Sequence, residues 1–135
     1  MENLKNLEDN DMCYACGKKN TNGLHLEFSF IEEEKRIETT FVPSDAYQGW
    51  KGVLHGGIIA TLVDESMAKL AQRLGYRALT ASLDIRFKDV AKTCDSLHVS
   101  AEIEKHTKKL LYARAVASRE DGSVIAEAQA RLMIL

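Results

Sequence analysis

Apolar and polar positions alternate along most of this chain, with one long interruption. Leu24, Leu26, Phe28 and Phe30 point one way while His25, Glu27 and Ser29 point the other, a period of two that predicts a β-strand. The charged turn Glu32-Glu33-Glu34 leads to a second strand carrying Ile37, Thr39 and Phe41, stopped by Pro43, the only proline. Residues 44–54 read as a loop containing Tyr47, Gln48 and Trp50. The period then changes. The run Ile58-Ile59-Ala60-Thr61-Leu62-Val63 predicts a helix from about Gly57 to Leu74, with Gly75 as its C-terminal cap. Its first two turns are apolar on nearly every side, so burial all round is expected there, and Lys69, Gln72 and Arg73 turn the later half towards solvent.

Beyond the helix the alternation returns. Leu79, Ala81, Leu83, Ile85 and Phe87 interleave with Thr80, Ser82, Asp84, Arg86 and Lys88, and Leu97, Val99, Ala101 and Ile103 repeat the pattern. A further strand spans about 109–119, Asp121-Gly122 is a hairpin signal, and a last strand starts at Val124. Two strands, one helix and four more strands predict an α+β domain whose antiparallel sheet covers a single long helix. Alanines near 115 and 128 would let that helix lie close to the sheet.

The chain has 135 residues, which fits one domain over 1–135, with polar residues 1–12 as a loose N-terminal arm. A net charge of −2 with both signs dispersed excludes a basic nucleic-acid footprint. No stretch approaches the ~20 apolar residues of a membrane span. The first twelve residues lack the apolar core of a signal peptide. Three cysteines, Cys13, Cys16 and Cys94, are an odd number and match no secreted disulfide framework, so a cytoplasmic location is expected. Cys13-x-x-Cys16 is half of a zinc motif, but its partners Cys94 and His25 lack paired spacing, so no metal is expected.

The chemistry concentrates in Leu54-His55-Gly56-Gly57 and in Asp64-Glu65. Glycines opening a helix let uncovered backbone N–H groups approach a ligand oxygen, and an acid on an apolar helix must be paired or put to use. Nine residues separate His55 from Asp64, roughly 13 Å along a helix and about half a turn round it. One chain therefore cannot bring both ends to one substrate, and a two-fold pair of antiparallel helices could.

These residues resemble the hotdog-fold acyl-CoA thioesterases, in particular the phenylacetate-pathway-like and THEM-like branch. The resemblance rests on His55-Gly56-Gly57, on Ala60-Thr61-Leu62-Val63-Asp64, on the strand Thr80–Phe87, and on Cys13-Tyr14-Ala15-Cys16-Gly17 upstream. It implies a hotdog fold, homodimers that pair into homotetramers, and hydrolysis of an acyl-CoA thioester to free acid and coenzyme A. Asp64 would be general base or nucleophile, the Gly57 N–H would polarise the carbonyl, His55 would help hold it, and Thr80 would orient water. Gly56, Ser82, Lys88 and Lys92 would contact substrate, with Arg86 a further candidate cation. No cofactor is implied beyond the coenzyme A of the substrate itself. A non-catalytic acyl-CoA sensor or carrier on the same fold is the alternative.

Overall fold

A computed structural model describes residues 6–135. The expected arm, 1–12, therefore falls partly outside the described residues. Its described part is irregular but tied down, with Arg77 donating to the Leu7 carbonyl and Asn20 to that of Met12.

The elements are β1 (Ser29–Ile31), β2 (Arg36–Phe41), α1 (Gly56–Arg73), β3 (Ala78–Phe87), β4 (Leu97–His106), β5 (Leu110–Arg119) and β6 (Val124–Ile134). They form one antiparallel sheet in the order β1-β2-β4-β5-β6-β3, wrapped round α1, which is the hotdog arrangement. The first strand is shorter than the alternation predicts. Residues 24–28 follow the N-terminal turn instead, where Leu24 and Leu26 donate their N–H groups to the Tyr14 and Ala15 carbonyls.

Leu62, Val63, Met67 and Leu70 on α1 are fully buried against Leu97, Val99, Leu111, Ile125 and Leu132 of the sheet. Ala113, Ala115, Ala117, Ala126, Ala128 and Ala130 all face inward and are buried, so the small side chains of β5 and β6 admit the helix as expected. Each fully buried leucine contributes on the order of 1.5–3 kcal/mol. The distribution of burial along α1 corrects the sequence reading. Gly56 and Gly57 are exposed and Ile58 only half-buried, whereas Ser66, Met67, Leu70 and Ala71 are buried. The sheet covers the middle and end of the helix, and in its first turn only Ile59 is buried.

β3 departs further from its pattern. It reaches across to pair with β6 and forms a ten-residue edge strand with no neighbour on its other side among the described residues. Leu83 and Phe87 stay exposed despite the strong alternation. Periodicity reports which face a residue takes, not whether anything covers that face.

Candidate active site

Asp64 sits in the middle of α1, half-buried, and its Oδ1 accepts a 2.7 Å hydrogen bond from the Thr80 hydroxyl of β3. Regular alternation would forbid this contact, because Thr80 is out of phase with the helix-facing Leu83 and Ile85. The register shows how it arises. Thr80 stands opposite Leu132 while Ser82 stands opposite Arg131, so Ala81 is the extra residue of a β-bulge. One extra residue inverts the facing of everything before it. Thr80, Leu83 and Ile85 thereby oppose the buried Leu132, Ala130 and Ala128.

The same bulge turns Ser82 outward. It lines a groove with Asp84, Gln129 and Arg131 on the sheet face away from α1. Lys88 and Arg86 line a second outward groove with Glu104 and Arg114, so Lys88 too lies apart from Asp64. Lys92 is exposed, and its backbone bridges to Val53 beside the start of α1.

His55 is the N-cap of α1, and its Nδ1 accepts the Gly57 N–H at 2.8 Å. The Gly57 N–H is engaged by the cap, and the Gly56 N–H, one residue earlier, has no partner among the described residues. An accepting Nδ1 assigns the ring proton to Nε2, so His55 keeps one N–H to offer. Gln48 is also committed: its Oε1 accepts from the Gly52 N–H at 3.0 Å and closes the preceding loop. Tyr47 packs on Phe41, with ring centroids 5.9 Å apart.

A crevice of about 610 Å³ opens at this helix start, lined by Trp50, Val53, His55, Gly56, Phe87 and Val90 among others. Trp50 is 85% exposed, so the crevice has an apolar rim with nothing laid on it. The loop on its far side is pinned. The Val90 backbone N–H, and then Arg119, hold the Asp89 carboxyl below the usual carboxylate range, and Arg119 also donates to the Val90 carbonyl. Neither Asp64 nor Thr80 lines this crevice. Within one chain the helix start and the Asp64–Thr80 pair are thus separate groups.

The two adjacent acids of α1 go to different partners. Asp64 meets Thr80, whereas Glu65 accepts from the Cys13 thiol at 3.8 Å. Burial, and then the Glu65 carboxylate, push the Cys16 thiol up to about 12, so it is a poor nucleophile at neutral pH. Two features were out of reach of sequence reasoning: the bulge at Ala81, which has no glycine or proline to mark it, and the meeting of Glu65 with the two cysteines.

The profile of the thioesterase superfamily matches residues 51–126, which include the helix start, Asp64 and Thr80. The chain is similar to the acyl-coenzyme A thioesterase THEM5 of Mus musculus, 30% identical over 103 residues, which is 76% of this chain and 42% of that protein. It therefore spans less than half the length of that curated relative. Its fold superposes on the E. coli PaaI protein from the phenylacetic acid degradation operon with a TM-score of 0.77 at 16% identity, covering 83% of this chain and 80% of that one. A hypothetical thioesterase from Streptococcus pneumoniae TIGR4, solved with coenzyme A, gives 0.76 at 17% identity, over 82% of this chain and 85% of that one. That protein has also been solved as an aspartate-to-alanine and as a threonine-to-alanine variant. Identities this low bear on the fold alone.

Proposed function

This chain belongs to the thioesterase superfamily, and on that premise we propose that it hydrolyses an acyl-coenzyme A thioester to the free acid and coenzyme A. The observation that carries the reading is the Thr80–Asp64 pair, a hydroxyl and a carboxylate 2.7 Å apart on the sheet-facing side of the helix. The two varied positions of the streptococcal protein are 16 residues apart, the same spacing as Asp64 and Thr80, which supports reading these two as a unit.

In this mechanism Asp64 is the general base. Thr80 donates its proton to Oδ1, which leaves Oδ2 to take a proton from water and the Thr80 oxygen lone pairs to hold that water. The water oxygen attacks the thioester carbonyl carbon, and the carbonyl electron pair moves to oxygen. The free Gly56 N–H and the Nε2–H of His55, at the start of a partner's helix, meet the developing oxyanion, while the Gly57 N–H keeps the His55 ring in place. The intermediate collapses by breaking the carbon–sulfur bond, and the departing thiolate recovers the proton from Asp64. The step is redox-neutral and its leaving group is good, so the chemistry calls for no redox or metal cofactor.

The two half-sites meet in a homodimer in which β3 pairs with β3 of a second copy, and further pairing of dimers gives a homotetramer. The open edge of β3, with Leu83 and Phe87 exposed, supports that pairing. Lys92, beside the helix start, is the cation best placed for coenzyme A phosphates. Three free cysteines and no membrane-crossing helix among the described residues fit a reducing cytoplasm.

The test is thiol release from a panel of acyl-CoAs. Asp64→Asn should lower kcat about 10²–10⁴-fold with little change in KM. Hydrolysis that survives this substitution would remove Asp64 from the reaction. Tight acyl-CoA binding by the unsubstituted chain without turnover would identify a sensor or carrier instead.

A further inference from the structure

Cys13, Cys16 and Glu65 play no part in the proposed hydrolysis, yet the fold gathers them from residues 52 positions apart. We propose that they form a binding site for a thiophilic divalent cation, with zinc the best match, that fastens the N-terminal turn to the central helix.

The sequence offers only half of such a site, and α1 supplies the missing ligand. Cys-x-x-Cys is the spacing by which a tight turn presents two sulfurs to one zinc. Here the turn closes through the Gly17 N–H on the Cys13 carbonyl at 2.8 Å. A Cβ at Gly17 would lie 2.4 Å from the Cys13 nitrogen, so the turn admits only glycine at that position. One sulfur or carboxylate atom from each of the three residues lies within 4.8 Å of the other two. Zinc–sulfur and zinc–oxygen bonds at the tetrahedral angle separate sulfur from oxygen by about 3.6 Å. Cys13 Sγ and Glu65 Oε1 are 3.8 Å apart, close to one edge of that tetrahedron.

Charge points the same way. Glu65 forms no ion pair among the described residues, and its side-chain donor is a thiol, a weak one. A half-buried carboxylate facing two sulfurs is an arrangement that a divalent cation completes. Access exists as well. A crevice of about 500 Å³ opens on the three groups and is also lined by Glu8 and Asp9, so water or one of these carboxylates can take the fourth position. Mixed sulfur and oxygen donors suit zinc better than magnesium or calcium, which take oxygen ligands.

The experiment uses the reduced, chelator-stripped full chain, titrated with zinc against a chromophoric chelator and separately with cobalt(II). One cation per chain is expected, with a thiolate-to-cobalt charge-transfer band in the near ultraviolet and a Tm that rises with zinc concentration. Cys13→Ser and Cys16→Ser should each weaken binding by at least about 100-fold and Glu65→Gln by about tenfold, while Cys94→Ser leaves it unchanged. If a cysteine variant fails to fold, Glu65→Gln and the cobalt spectrum of the unsubstituted chain still decide. Absence of stoichiometric binding, a cobalt spectrum without the charge-transfer band, or undiminished binding in the folded Cys13→Ser/Cys16→Ser double variant would overturn the site. So would a Cys13–Cys16 disulfide that, once reduced, yields a chain indifferent to zinc.

Discussion

At the residue scale, the proposed reaction divides one task between Thr80 and Asp64. A carboxylate with one oxygen committed to a hydroxyl has a single defined face left for water, and the hydroxyl that orders it can hold the same water. Thr80→Ala removes the hydroxyl but not the base. Turnover should fall about 10–100-fold with KM nearly constant, because the lost contact serves the attacking water and not the ground-state thioester. Thr80→Ser, which keeps the oxygen, should recover most of the rate. An unchanged kcat in the alanine variant would remove Thr80 from the reaction. At the helix start, His55 decides which glycine N–H stays available. The cap engages the Gly57 donor, whereas that of Gly56 has no partner among the described residues. The pair Gly56-Gly57 is legible in the sequence, but the choice between its members is not, because that depends on the side-chain torsions of the preceding residue.

At the element scale, the helix and the strands after it are legible as periodicities, the alternation at 24–30 overstates β1, and β3 shows what periodicity omits. Thr80 is separated from Leu83 by an odd number of positions, so a regular strand would turn them to opposite faces. The bulge at Ala81 restores them to one face. Deleting Ala81 would make the count even and reach the same facing with a regular ladder. That deletion should keep hydrolysis well above the roughly 100-fold loss expected from ~1 Å of misplacement. A folded deletion variant as poor as Thr80→Ala would mean that facing is not what brings Thr80 to Asp64. Helix burial shows a related limit. An apolar first turn reads as buried all round, yet within one chain only Ile59 of that turn is covered.

At the scale of the whole molecule, the exposed features converge on one end of the sheet. β3 has an unpaired edge, Leu83 and Phe87 are uncovered, and the crevice at the start of α1 is ringed by Trp50 and Val90. A two-fold axis perpendicular to β3 at its midpoint would cover these together and set one chain's helix start beside its partner's Asp64. Leu83→Lys places a charge in that seam. Sedimentation velocity should show the variant as monomer, with hydrolysis lost and each chain still folded by circular dichroism. A fully active monomer would contradict the shared site.

The sequence by itself determined the order of elements, the central helix, the antiparallel sheet and the segments to which the proposed chemistry is assigned. Those follow from local periods of two and 3.6 and from spacing along the chain. Only the tertiary structure decided which way Thr80 faces, which glycine N–H is free, why Asp64 and Glu65 serve different neighbours, and where Glu65 meets Cys13 and Cys16. Each of these depends on a register, a rotamer or a contact between distant segments. Such quantities are fixed by packing the whole chain and leave no local trace in the pattern of its residues.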